Sequence, residues 1–206
     1  MEFPTIAAVS TPPGKGGVAL LRISGSEAFA VADRVFRPRG GRPLSSYPDR
    51  IQVYGDVLAS DGKTVLDDGL LTRFSAPRSF TGENVVEITC HGGVQITAMI
   101  LSAVLESGAV PAGPGEFSRR AFLSGKMTLT AAEGVADLLD AKTEEAALLS
   151  SKTSRGKLSE RIDALSEQLQ AVAATLWAYL DYPEEDLGSM TDGEMIASLT
   201  ADRFTP

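Results

Sequence analysis

The segment NVVEITCHGGVQITAMILSAVLESG constrains the fold more than any other part of the chain. NVVEITC is rich in β-branched residues and reads as a strand. Period two places Val86, Ile88 and Cys90 on one face, and Val85, Glu87 and Thr89 on the other. Gly92-Gly93 breaks the strand, and the apolar run that follows is a helix ended by Gly108. Such a helix must lie on a sheet, and the sequence offers partner strands in VALLRIS (Val18 to Ser24), IQVYGDVLA and LLTRFSA. A turn and a short extended piece around Asp61-Gly62 and Asp67-Asp68 join the last two. Ser24 and Glu27 have capping-box spacing for a helix that includes Phe29, Val31, Ala32, Val35 and Phe36. Arg37 to Arg50 is a Pro/Gly/Ser-rich loop. Strands and helices mixed in this order specify an α/β or α+β mixed-sheet domain.

After VPAGPGEF the character changes. Thr130 and Glu133 form a second capping box that opens a helical segment running through about Lys152. A further helix spans about Lys157 to Leu180. Its apolar residues Leu158, Ile162, Leu165, Leu169, Val172, Leu176 and Tyr179 alternate at four and three. This heptad stripe demands a partner along its length, and the preceding helix is expected to supply it as an antiparallel pair. Pro183 stops the helix, and Asp181, Glu184, Glu185 and Asp186 read as a solvated acidic group. The expected domains are a sheet domain over 1–120 and the start of an incomplete helical domain over 121–206. Charge follows a similar division: residues 1–126 are net +1 and residues 127–206 net −9.

With 43% apolar and 22% charged residues, the chain is too apolar to be disordered. It has no run near the ~20 apolar residues of a membrane helix, and MEFPTIAAVSTPPG has no signal-peptide pattern. One cysteine, Cys90, excludes an internal disulfide and suits a reducing cytoplasm. Neither region carries the basic footprint of a protein that grips phosphate backbone unaided, and Arg34, Arg37, Arg39 and Arg42 read as a solvated surface.

PPGKGG is no phosphate loop. Gly14-Lys15 is followed by Gly16 rather than a hydroxyl residue, and the loop leads into a strand. GTP binding by these residues is therefore not expected. Cys90 and His91, each single in the sequence, are too few for a zinc site, so no metal is expected from them. They also point to opposite faces of a strand, which excludes a nucleophile pair. Each of VALLRIS and NVVEITC places one charge, Arg22 and Glu87, among apolar neighbours. That pattern fits a solvent-facing strand, an Arg22–Glu87 ion pair, or a ligand contact.

Four segments, TPPGKGGVALLRISG, TVLDDGLLTRFSAPRSFTGE continuing to NVVEITCHGG, PGEFSRRAFLSGKMTLTAAE, and LDYPEED, resemble in order and spacing the N-terminal region of the tRNA modification GTPases of the MnmE (TrmE) type. The resemblance covers residues 4 to 190. It implies a folate-binding domain similar to the glycine-cleavage T-protein type, followed by a partial α-helical domain, with the GTPase domain absent from this stretch. It implies 5-formyl-tetrahydrofolate or a related reduced folate as ligand, a homodimer built mainly before residue 120, and the flavoprotein MnmG (GidA) and tRNA as partners of the full-length enzyme. The implied activity is addition of an aminomethyl-type group to carbon 5 of the tRNA wobble uridine. Potassium and magnesium serve only the GTPase domain, so this chain alone is expected not to be catalytic. The family's folate contacts fall on Arg22, Glu87 and Lys126. A carboxylate can accept the paired N–H donors of a pterin, and cations suit the carboxylates of a glutamyl tail. Two rival readings are a stand-alone T-protein-like aminomethyltransferase and a non-catalytic dimerisation fragment.

Overall fold

Alternating burial along two central strands builds the first half of the molecule. The computed structural model describes residues 3–181 together with residue 193. It divides the chain into two compact units, 1–127 and 128–206. The first contains β1 (Ile6–Val9), β2 (Val18–Ser24), α1 (Ala28–Val35), β3 (Phe36–Pro38), β4 (Val53–Leu58), β5 (Val65–Phe74), β6 (Val85–His91), α2 (Val94–Glu106), β7 (Val110–Pro111) and α3 (Glu116–Leu123). The strands form one sheet in the order β3-β4-β5-β6-β2-β1-β7. Every neighbouring pair is antiparallel except β1 and β7.

Leu21 and Ile23 of β2, Val86, Ile88 and Cys90 of β6, and Leu71 of β5 are buried on one face. They join Val31 and Val35 of α1 and Ile100 and Val104 of α2 in the core. Burying each such aliphatic side chain contributes roughly 1.5–3 kcal/mol. The opposite face holds Arg22, Glu87 and Thr72 and is half-exposed over much of its area. Only near Ser24 and Val85 is it closed, where Thr81 and Ala121 are also buried.

Several local expectations change. Ser24 forms no capping box: its hydroxyl bonds Thr81 and Glu83, and α1 starts without a side-chain cap. Phe36 leaves the helix and opens β3. Asp67 and Asp68, read within the turn and short extended piece joining two strands, belong to β5 itself, which starts at Val65. The short strands β1, β3 and β7 went unread, since two to four residues carry little periodicity and two of them are sheet edges. The units divide after Met127 rather than near 120, because α3 is tied into the sheet unit through Arg120.

The second unit comprises α4 (Leu129–Asp140), α5 (Glu144–Ser154) and α6 (Lys157–Asp181). The single helix expected through Lys152 is two helices, capped by Thr128 and Thr143. Gly134 lets α4 meet the end of α5: a Cβ there would lie 2.6 Å from the Ser154 amide nitrogen. The expected cover for the α6 stripe is not supplied by α5. Val172 is buried, yet Leu158, Ile162, Leu165, Leu169 and Leu176 remain exposed. An 11-residue α5 is less than half the length of the 25-residue stripe helix and packs against α4. Pro183 and the residues read as acidic after it lie outside the described residues.

Candidate functional site

Antiparallel pairing sets Arg22 of β2 directly opposite Glu87 of β6. The guanidinium donates Nε–H at 3.0 Å and Nη2–H at 2.7 Å, both to Oε1 of Glu87. Among the described residues none donates a hydrogen bond to Oε2. The two side chains are 22% and 23% exposed, so the pair is neither dry nor fully solvated. Of the three readings of these charges, the ion pair is the one the fold forms. Phe80 and Phe117 add ring contacts, with their centroids 5.0 and 5.6 Å from the Arg22 guanidinium carbon. Each such contact is worth roughly 0.5–2 kcal/mol. Together they hold the cation against the sheet with one Glu87 oxygen left open.

Lys126 comes to the same neighbourhood by a different route. Its Cγ would lie 3.2 Å from a Cβ on Gly82, so its stem crosses the loop that carries Phe80. Arg22 and Glu87 are thus paired on the outer sheet face, and the exposed Lys126 lies beside Gly82, two residues along the loop from Phe80.

A buried knot fixes this loop. Arg120 of α3 is 3% exposed. Its Nη1 donates to both oxygens of Glu83, at 3.2 and 3.1 Å, and its Nη2 donates to the Pro4 carbonyl at 2.8 Å and to Glu116 at 2.9 Å. Glu83 also accepts the Ser24 hydroxyl at 2.7 Å. The knot therefore ties β1, β2, the 79–84 loop and α3 together, and so positions Phe80 and Phe117 over Arg22. Sequence reasoning missed it. The available signal was Glu116 and Arg120 at helical i,i+4 spacing, with Glu116 in the VPAGPGEF stretch read as a loop.

Further along β6, the His91 backbone N–H donates to Oδ2 of Asp67 at 2.8 Å, and its ring Nδ1 lies 2.8 Å from Oδ1. The hydrogen bond to Asp67 raises the His91 pKa above its ordinary value. Burial pushes the Asp67 carboxyl upward, but the His91 ring and backbone hydrogen bonds outweigh it and hold the group below its usual value. Cys90 points to the other face, where burial first and the Asp67 charge second push its thiol up to about 11. The PPGKGG loop runs into β2 rather than a helix, as expected, and with Gly92, Thr97 and Leu101 it lines a cavity of about 590 Å³.

Comparison with known proteins assigns the chain. Residues 5–126 match the family model described as "GTP-binding protein TrmE N-terminus", and residues 129–202 match that of the "MnmE helical domain". The chain belongs to the TrmE (MnmE) family. A protein named tRNA modification GTPase MnmE from Symbiobacterium thermophilum is 43% identical over 94% of this chain and 42% of its own length. A relative of the same name from Enterococcus faecalis is 41% identical over 90% of this chain and 40% of its own length. The chain thus spans about two-fifths of the curated relatives it matches. The TrmE and helical family regions meet between residues 126 and 129, where the fold also divides. Among the described residues no helix is long and apolar enough to cross a membrane.

Proposed function

We propose that this chain is the folate-binding and self-associating part of a tRNA modification GTPase, and that its outer sheet face takes 5-formyl-tetrahydrofolate or a related reduced folate. The observation that carries the reading is the open Oε2 of Glu87, beside a cation flanked by two aromatic rings. An ionised carboxylate is acceptor-only, so Oε2 and the remaining lone pair of Oε1 accept the adjacent N–H groups of a pterin. Phe80 and Phe117 suit a flat heterocycle, Arg22 stays with Glu87 at the pterin end, and the exposed Lys126 suits a glutamyl carboxylate. On this reading the seven-stranded sheet unit is a folate-binding domain similar to the glycine-cleavage T-protein type. In the full-length enzyme this region works as a homodimer in the cytoplasm. With MnmG it supplies the one-carbon unit for an aminomethyl-type group on carbon 5 of the wobble uridine. GTP hydrolysis, with potassium and magnesium, belongs to the GTPase domain of the whole protein.

Calorimetric titration with 5-formyl-tetrahydrofolate tests the reading. Glu87→Gln turns one acceptor into an NH₂ donor facing another donor. With about 1.5–3 kcal/mol per charge-assisted bond, affinity falls roughly ten- to a hundred-fold. An affinity within about twofold of the parent, a change of only ~0.4 kcal/mol, removes Glu87 as the pterin reader. A ligand-free melt of the same variant reports the separate loss of the Arg22 pair. That pair is partly solvated and contributes no more than about 1 kcal/mol.

A further inference from the structure

Among the described residues, a cluster of metal-ligating side chains lies outside the proposed folate site. Asp67 and Asp68 lie on β5 and His91 ends β6, and one ligating atom from each lies within 4.8 Å of the other two. The sequence hides this, because strand pairing joins residues 23 or more apart. Cys90, the neighbour that drew notice, faces the core instead.

Each carboxylate is oriented by an outer hydrogen bond. The His91 backbone N–H donates to Oδ2 of Asp67, leaving Oδ1 toward the imidazole at 2.8 Å. The Tyr54 hydroxyl donates to Oδ2 of Asp68 at 2.7 Å and accepts from Arg39 Nη1 at 2.6 Å. Outer-shell bonds of this kind fix ligand rotamers at metal sites. The aspartates are also more sheltered than the ring, with Asp67 11% exposed and His91 69%. The cluster is therefore a held pair of carboxylates under a solvent-facing imidazole.

We propose that Asp67, Asp68 and His91 bind a divalent transition-metal ion of the zinc class, through His91 Nδ1 and one oxygen from each carboxylate. One imidazole nitrogen with two carboxylates suits zinc, cobalt, nickel or manganese, whereas calcium and magnesium take all-oxygen sets. Ligand atoms about 2.0–2.2 Å from a tetrahedral ion stand roughly 3.3–3.6 Å apart. The Nδ1–Oδ1 separation of 2.8 Å needs to open by roughly 0.5–0.8 Å as the ion takes the place of the shared proton, a movement the exposed His91 ring can make. Two carboxylates and a neutral imidazole balance the ion's two charges, and water completes the coordination. The site lies four residues along β6 from Glu87, roughly 13 Å at ordinary strand rise, so it shares no ligand with the folate site.

The test uses the tag-free chain, in which His91 is the only histidine. Zinc chloride is titrated while the imidazole ¹⁵N resonances are followed. The expected result is one ion per chain at roughly micromolar affinity with a shift of the single Nδ1 signal, and a visible absorption band when cobalt chloride is used instead. His91→Ala and Asp68→Asn each weaken binding about ten-fold or more, in the range seen when metal-site groups are altered. The inference is overturned if the His91 nitrogen signals stay fixed at zinc saturation. It is equally overturned if no zinc binds by about millimolar concentration, or if a folded His91→Ala protein binds within twofold of the parent. Folate affinity, measured on the same samples, reports separately on the proposed function.

Discussion

Replacing Arg120 with methionine tests how the sheet unit is held together and how the candidate site is positioned. Methionine keeps most of the buried stem but removes every donor. Glu83 loses two charge-assisted bonds, the Pro4 carbonyl loses its 2.8 Å partner, and Glu116 loses its helix contact. Breaking a buried pair from one side costs about 3–5 kcal/mol. Glu83 keeps Ser24, Glu116 keeps the Gly113 amide, and both carboxylate side chains are 23% exposed, so the low end, about 3 kcal/mol, applies. For a unit of this size that lowers the melting temperature by roughly 10 °C. Hydrogen exchange localises the effect: amides of β1, the 79–84 loop and α3 lose protection, while α4 and α5 keep theirs. A double-mutant cycle with Glu83→Gln isolates the pair and is expected to show coupling above about 1 kcal/mol. A loss below ~1 kcal/mol for Arg120→Met, or additivity within ~0.5 kcal/mol, refutes the knot as an organising element. Folate affinity falls in Arg120→Met if the knot positions Phe80 and Phe117, although Arg120 contacts neither ring.

Two further outcomes follow from burial and backbone approach. A Cβ at Gly92 would lie 2.5 Å from the Gly16 carbonyl oxygen and 2.9 Å from that of Val18, both backbone atoms, so Gly92→Ala is expected to cost about 1–3 kcal/mol. Gly17→Ala meets nothing within 4 Å and stays within ~0.5 kcal/mol, and equal denaturation midpoints for the two would remove the argument. With its pKa near 11, only about one Cys90 in a thousand is thiolate at pH 8. Iodoacetamide labelling of the folded chain is therefore expected to run at least ~100-fold slower than in guanidinium, and comparable rates would contradict the burial.

The elements legible in the sequence were those long enough to show a period. β2 and β6 fall where VALLRIS and NVVEITC placed them, with Leu21, Ile23, Val86, Ile88 and Cys90 on the buried side. The same alternation put Arg22 and Glu87 on the other face, though only strand register could show them opposite each other. Asp67-Asp68 was unreadable as strand because aspartate disfavours the pleated backbone, and here the His91 hydrogen bonds compensate locally. The Ser24–Glu27 spacing suggested a cap, but tertiary hydrogen bonds to Thr81 and Glu83 claimed the serine hydroxyl. The α6 heptad was read correctly as a helix, while its cover depended on α5, whose length no local pattern of α6 contains.

The parallel pairing of β1 with β7 has a temporal consequence. Thr5 to Ala7 complete their backbone bonds with Val110 and Ala112, and Pro4 with Arg120. During translation at about 5–20 residues per second, the first strand exists for several seconds before its outer neighbour is made. Its hairpin with β2 is only marginal alone, and β2 itself waits for β6, some 65 residues later. Throughout that interval Leu21 and Ile23 sit on a nascent two-stranded ribbon with open edges. Early synthesis is thus the period in which this domain is most exposed to mispairing. The sheet closes only when its last-made strand, β7, returns to its first, β1.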